Sequence, residues 1–464
     1  MKALTSGGSR RTAAQMHALA AVRREIAASD SAVNSRYLRE FTQAFRRYDR
    51  VLTPEQLKER VSSAGILLIG DYHALPASQR FAAQLLEELA RQRPVVLAVE
   101  AVLSRGQPIL DCWWRREIPE QELRQRLRFD REWGYEWDPL YELFTSARDH
   151  AEGLYGLDCM PRHDLRKIRS RDRHAGAKIA EIRALHPNAV ILVLFGESHM
   201  APQHLPALLR SLLPEERMLT VLQNVDSLYW QAVDEHAAAV GIGEDALCVF
   251  NASPAEKYES YRVCLERWNG TADDEAPDFA PAVYNLIFAL AKSLGFRLDS
   301  PRNGTQPRFL ADLLPEVISL KSTDGEVAAQ ARKRLAGEGA CATLERLEER
   351  KCAYVPQSNT LFIREFHMPY AAAEAARFLH HACRGMTLPG SAAAEKIEKA
   401  LAHFGSRLLC PENEGCPEDS AGEALYRGYI EGRVSPAKLR QLFLAGREGH
   451  VQAVELLAAA LKTA

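Results

Sequence analysis

Two stretches of the chain place an acid and an imidazole at the same spacing. Ile66-Leu67-Leu68-Ile69 runs into Gly70-Asp71-Tyr72-His73, and Ile191-Leu192-Val193-Leu194-Phe195 runs into Gly196-Glu197-Ser198-His199. A continuous aliphatic run with polar chemistry only at its exit is the mark of a buried parallel strand. Further exits carry Glu100 after Val95–Val99, Asp158 after Leu154–Leu157, and Asn224 and Asp226 after Met218–Leu222. Ligands of open parallel sheets bind beyond the carboxyl ends of the strands. One acid after a strand is explained by capping of the next helix. Several acids and two imidazoles at one edge are not, because gathered like charges cost stability. Such a set suits a zinc, manganese or iron site, or a histidine base oriented by a carboxylate. On this reading His73, Glu100 and His199 are metal ligands or acid/base groups. Asp71 and Glu197 orient the imidazoles, and Gly70 and Gly196 permit tight turns and close backbone approach.

The elements that must position these residues follow from the rhythm of the chain. Apolar residues from Met16 to Ile26 and from Tyr37 to Tyr48 have helical spacing, with a break at Ser29-Asp30-Ser31. Thr53-Pro54-Glu55-Gln56 is a helix start, with a capping residue and then proline. Residues 1–60 therefore read as a helical lead-in packed on the next domain. From Ala64 short apolar strands alternate with helix-length amphipathic stretches, ending with a sixth strand at Ala246–Phe250. Alternating strand and helix predicts an α/β fold with a mostly parallel sheet flanked by helices, over residues 61–265. The polar stretch 268–278, with Asp273-Asp274-Glu275, reads as a linker. Residues 266–464 read as a mostly helical domain with one small hairpin, Cys352–Pro356 and Thr360–Phe366 around Gln357-Ser358-Asn359.

Composition narrows the partners. With 47% apolar and 26% charged residues the chain is an ordinary globular mix. A net charge of −2 argues against a nucleic-acid partner. Nine scattered cysteines without Cys-x-x-Cys fit a reducing compartment. No signal peptide or apolar span stands out, so a cytoplasmic location is expected. Phosphate-binding glycine loops and the Gly-x-Ser-x-Gly elbow are both missing. His380-His381 is expected at a surface or interface, since adjacent helical residues point about 100° apart and do not chelate one ion. His163, His174, His186 and His204 read as solvent-facing, and Arg162, Arg166, Arg169, Arg171 and Arg173 as a solvated helix face. Trp113, Trp114, Trp133, Tyr135, Trp137 and Tyr141 are expected to pack the helices over the sheet, with a haem platform as the alternative.

Gly70-Asp71-Tyr72-His73, Glu100 and Gly196-Glu197-Ser198-His199 resemble the core motifs of the ChaN-like proteins, in the haem-binding uptake and Tiki superfamily. That superfamily is similar to the erythromycin esterase and TraB groups. Trp133-Gly134-Tyr135-Glu136-Trp137-Asp138-Pro139-Leu140-Tyr141 and Arg171-Asp172-Arg173 strengthen the resemblance, which spans residues 60–230. ChaN-like membership implies haem or iron binding. Tiki-like membership implies a divalent ion held by paired Gly-x-x-His motifs and a glutamate for peptide hydrolysis, and esterase-like membership implies water activated by His and Glu. The chain departs from the pattern at Asp71, where the first motif often carries Glu. It also lacks the secretion or lipoprotein signal of an uptake protein. The expectation is a haem- or divalent-metal-binding protein, with a hydrolase of ester or amide bonds as the alternative and a non-enzymatic binding protein as the third reading. Haem or a small molecule is the expected partner, and a homodimer is left open.

Overall fold

The structure is a computed structural model. It describes residues 8–29, 36–160, 168–233, 237–269, 277–296, 314–320, 340–384, 392–412 and 419–445, and in the tail 455, 457–459 and 461–462. The chain forms two compact units, Asp30–Asn251 and Met1–Ser29 together with Ala252–Ala464. The first helix, α1 (Gly8–Ser29), therefore belongs to the second unit.

In the α/β unit the elements follow in order: α2 (Arg36–Ala44), β1 (Arg50–Val51), α3 (Pro54–Ser62), β2 (Ile66–Asp71), α4 (Pro76–Ala90), β3 (Val95–Leu103), α5 (Gln107–Trp114), α6 (Glu120–Arg126), α7 (Phe129–Glu132), α8 (Asp138–His150), β4 (Gly153–Asp158), α9 (Ile168–Leu185), β5 (Val190–Gly196), α10 (Leu205–Leu212), β6 (Met218–Gln223), α11 (Asp226–Ala232), β7 (Ala239–Ile242) and β8 (Ala246–Val249). Thr53 opens α3 through a reciprocal cap: its hydroxyl accepts from the Gln56 backbone, and Gln56 Oε1 accepts from the Thr53 backbone. The eight strands form one sheet in the order β1-β7-β8-β6-β2-β5-β3-β4. From β8 to β4 neighbours pair parallel, and β7 pairs antiparallel with both β8 and β1. The sequence shows neither β1 nor β7, since strands of two and four residues carry too little periodicity.

Burial on both faces explains the unbroken apolar runs. Leu67, Leu192 and Leu97 form one row across β2, β5 and β3, and Leu68, Val193 and Ala98 form the next. The first row joins Leu86, Trp113 and Phe144 in one core, while the second joins Phe41, Ile179 and Leu205 in the other. Helices α4, α5 and α8 thus cover one face, and α2, α9 and α10 the other. The same register aligns the exits. Asp71 pairs with Gly196, and Val99, just before Glu100, pairs with Leu194. The third strand does not stop at Val99 as its apolar run suggested. It continues to Leu103 through a register irregularity that begins after Val99, and Glu100 sits at that break.

In the helical unit α1 packs against α12 (Pro254–Asn269) and α13 (Ala280–Ser293). The expected hairpin is present as β10 (Cys352–Val355) and β11 (Thr360–Ile363), turning through Asn359 at φ 47°. A strand with no sequence signal, β9 (Glu316–Ser319), pairs parallel to β11. The expected linker acids Asp273-Asp274-Glu275 lie outside the described residues. His380 and His381 are buried at 1% and 0% exposure rather than at a surface. His381 Nε2 meets Glu398 Oε2 at 2.9 Å, Arg377 pairs with the same Glu398, and His380 Nδ1 donates to the Phe443 carbonyl at 3.1 Å. Partners distant in the sequence satisfy both imidazoles and permit an interior position. Among the described residues no helix is long and apolar enough to cross a membrane.

Leu192 is fully buried at the centre of the sheet. Leu192→Ala is expected to destabilise the α/β unit by about 2–5 kcal/mol in urea denaturation followed by tryptophan fluorescence. Leu212→Ala, at a 45% exposed position, should change stability by less than about 0.5 kcal/mol.

Candidate functional site

The β2 exit supplies the first imidazole. Asp71 ends the strand with its carboxylate buried, and the chain turns through the Leu75 N–H donating to the Tyr72 carbonyl at 2.7 Å. That turn brings His73 back over Asp71, and its Nδ1 donates to Asp71 Oδ2 at 2.8 Å. Gln79, on the first turn of α4, donates to the other oxygen, Oδ1, at 2.7 Å. Asp71 thereby fixes the ring so that Nε2 faces Glu100 Oε2 at 3.6 Å. Trp133 and Tyr135 close the outer side of the imidazole, with ring centroids 4.4 and 5.2 Å away.

The β5 exit supplies the second imidazole and a backbone donor. Gly196 donates its N–H to Glu100 Oε2. The next four residues form a single 3-10 turn, Glu197–Met200, that folds His199 inward to 3% exposure, edge-on to Phe195 at 4.8 Å. A Cβ on residue 196 would lie 3.0 Å from Glu100 Oε2, 3.2 Å from His73 Nε2 and 3.4 Å from His199 Cδ2. Gly196 is therefore the point on which all three side chains close, and any larger residue would force them to shift by a few tenths of an ångström. Gly70 has no such constraint: a Cβ there meets its neighbours at an ordinary 3.5 Å. The expectation that both glycines serve close approach holds for Gly196 alone.

Helix α9 carries the residues that sequence reasoning missed. Arg171 is 7% exposed, not part of a solvated face. Its Nε and Nη2 donate to the two oxygens of Asp158 at 2.8 and 2.9 Å, and Nη2 also pairs with Glu100 Oε1. Its neighbours Arg169 and Arg173 are exposed as expected. Arg162 and Arg166 lie outside the described residues. Asp172 accepts from His199 Nδ1 and, through Oδ2, from the Tyr37 hydroxyl at 2.9 Å. Asp172 thus has the orienting role expected of Glu197, which sits half-buried one residue past β5. Arg171 and Asp172 point about 100° apart on α9, so the first reaches Glu100 and the second His199. Tyr37 comes from the lead-in, and no local pattern announces it.

Other expected residues have structural partners. Gln223 donates to the Gly70 carbonyl at 3.1 Å, and Asn251 bonds both Gln223 and Asn224, so the β6 exit braces β2. Asp226 opens α11. Trp113 and Trp137 are core residues, and Trp114, Trp133 and Tyr141 pack against that core as expected; Trp133 and Tyr135 also flank His73. His204 is buried and stacks on Tyr37 at 3.7 Å, while His174 and His186 are half-buried and bonded to Ser104 and Tyr155. The expectation of solvent-facing histidines fails for these because each has a partner distant in sequence. His163 lies outside the described residues.

The electrostatics favour a charged pair. Burial opposes the imidazolium of His73, but Asp71 and Glu100 outweigh it and the pKa is raised. Burial also opposes ionisation of Glu100, yet His73, Arg171, His199 and the Gly196 N–H hold its pKa down at about 2. The site therefore presents an ionised carboxylate 3.6 Å from an imidazole that gains its proton easily. It is poorly suited to a bare divalent ion. Among the described residues no three His, Cys, Asp or Glu side chains converge as a metal site. Arg171 and the Gly196 N–H already take the two oxygens of Glu100. A group needing one nitrogen donor and an aromatic wall fits better: Asp71 holds His73 Nδ1, so Nε2 is the nitrogen it would take, in exchange for the proton and the contact with Glu100.

The pKa shifts fix the sign of the pH dependence. The Glu100 contribution to stability is complete above its ordinary value of 4.5 and is lost as pH falls through about 2. The His73 contribution is complete below 6.5 and is lost as pH rises through its raised folded value. Urea midpoints measured from pH 7 to pH 2 should fall for the wild type, and Glu100→Gln should flatten that acid limb. Gly196→Ala should push His73 off Glu100, and an NMR titration should then show the His73 pKa lower than in the wild type.

Residues 57–189 match the family described as haem-binding uptake, Tiki superfamily, ChaN. The match contains Asp71, His73, Glu100, Trp133, Tyr135, Asp158, Arg171 and Asp172, and stops before Gly196 and His199. A solved ChaN structure from Campylobacter jejuni, showing cofacial haem binding, is 15% identical over 38% of this chain and 87% of its own, with a TM-score of 0.28. The type III effector HopBA1 is 14% identical over 43% of this chain and 96% of its own, with a TM-score of 0.31. No curated protein matches the chain. Residues 57–189 are thus similar to the ChaN-like family of the haem-binding uptake, Tiki superfamily, and the first glycine-acid-x-histidine exit and Glu100 lie within the matched stretch.

Proposed function

We propose that the protein binds haem at the carboxyl edge of its sheet, on the face formed by His73, Trp133 and Tyr135. The observation that carries this reading is the family match, which spans all three residues. The geometry supports it. His73 is the more accessible imidazole, with its side chain 19% exposed against 3% for His199. Its Nδ1 is held by a carboxylate, the arrangement that raises the basicity of the opposite nitrogen as a ligand. Trp133 and Tyr135 offer ring surface to a flat apolar molecule. Haem would supply an iron that takes a protein nitrogen as a ligand. His73 would supply the donor, Asp71 would set its orientation, and Glu100 would stay paired with Arg171 behind it.

The second reading, a hydrolase of ester or amide bonds, draws on one distance. An oxygen between His73 Nε2 and Glu100 Oε2, 3.6 Å apart, lies within hydrogen-bond reach of both. Glu100 would accept the proton of a water there, and the His73 imidazolium would donate to the leaving group.

Haem titration of the full chain should give a saturable Soret change. His73→Ala and Trp133→Ala should weaken it, and Asp71→Asn should cost roughly 10–100-fold in affinity. A Soret change that Tyr135→Phe abolishes and His73→Ala leaves intact would move the donor to Tyr135. Absence of any saturable change would sink the haem reading. Turnover of a model ester that is lost in Glu100→Gln would then favour the hydrolase.

A further inference from the structure

A cavity of about 330 Å3 opens beside the continuation of β3, and none of its lining residues belongs to the strand-end cluster. One wall is Ala101–Leu103 with Gly106 and Ile109, and the other is the corner between α6 and α7, at Leu127, Arg128 and Phe129. Its floor is apolar: Val102 and Phe129 are 3% and 2% exposed. Arginines dominate its polar groups, with Arg105, Arg126 and Arg128 facing one acid, Glu132. Arg126 is paired with Glu122 outside the cavity. Arg105 and Arg128 share Glu132 Oε1 at 3.5 and 3.9 Å, both longer than a strong charge-assisted bond of about 2.8 Å. Arg128 holds φ at 53°, a left-handed conformation that glycine or asparagine adopts more readily. That backbone turn, at the start of α7, aims the Arg128 side chain to the same acid as Arg105.

We propose that this cavity binds a single-tailed organic carboxylate, with the chain among Val102, Ile109, Leu127 and Phe129 and the head between Arg105 and Arg128. The charge excess selects an anion, and the planar guanidinium fork matches a carboxylate. The volume is at the small end of the ligand range of roughly 300–1,000 Å3, which suits a short acyl chain rather than a tetrapyrrole. The site is separate from the haem face and does not rest on that reading.

Calorimetry on the full chain with octanoate tests the proposal, with octanol as the uncharged control. Octanoate should bind and weaken with added NaCl, and octanol should bind roughly tenfold more weakly or not at all. The double variant Arg105→Gln, Arg128→Gln should weaken octanoate roughly tenfold. Ile109→Trp, which fills the cavity, should abolish binding, with its thermal melt compared to the wild type as the folding control. No octanoate heat in the wild type at millimolar ligand would overturn the proposal. So would equal binding of octanol, or unchanged binding in a folded Ile109→Trp. Haem titration in the presence of saturating octanoate should be unaltered. Displacement of haem by octanoate would make the cavity part of the haem site and end the claim of a separate one.

Discussion

The α/β unit is built around one buried carboxylate. Glu100 is 3% exposed at the centre of the sheet edge, where an unpaired charge is prohibitive. It survives because Arg171, the Gly196 N–H and His73 surround it. Each partner comes from a different element: α9, β5 and the turn after β2. Asp158 at the end of β4 holds the remaining donors of Arg171. The ion set thus ties four parallel strands and one crossover helix into a single register. Buried ion pairs of this kind seldom add stability over an apolar equivalent, so the cluster fixes register rather than adding net stability.

Around that carboxylate the two imidazoles are arranged alike but are not equivalent. Each gives Nδ1 to an aspartate, Asp71 for His73 and Asp172 for His199. His73 reaches solvent past Trp133 and Tyr135. His199 is enclosed by Phe195 and Tyr37, and Tyr37 is locked in turn by its bond to Asp172 and its stack on His204. Burial and the neighbouring Asp172 both push the Tyr37 phenol upward, so it stays a neutral donor. The more exposed half and the enclosed half of the cluster are therefore chemically similar and mechanically different.

The paired exits were legible in the sequence because a parallel strand buried on both faces must be apolar throughout, so a polar exit stands out. Asp71, His73, Glu100, Gly196 and His199 could be found that way. Arg171, Asp172 and Tyr37 could not. They reach the site from helices, where Arg171 and Asp172 in a charged stretch look solvated and Tyr37 reads only as an apolar helix position, and their contacts lie up to 135 residues away. The same blindness produced the errors at His204 and at His380-His381. The short antiparallel strands β1 and β7 escaped for a different reason: pairing, not local pattern, makes them strands.

Arg171 also decides between kinds of ligand. A divalent ion in this cluster would have to compete with a guanidinium whose protonation is favoured further, against burial, by Glu100 and Asp158. Evicting it would leave Asp158, fully buried, without its two hydrogen bonds. The arginine thus does for Glu100 what an ion would do, and does it without leaving an open coordination position. What remains available at the edge is the outward imidazole. Its proton affinity is set by Asp71 and Glu100 and its surroundings by two aromatic rings. That combination suits a ligand that arrives with its own metal, or a substrate that needs only a proton moved, better than a site that recruits a bare ion.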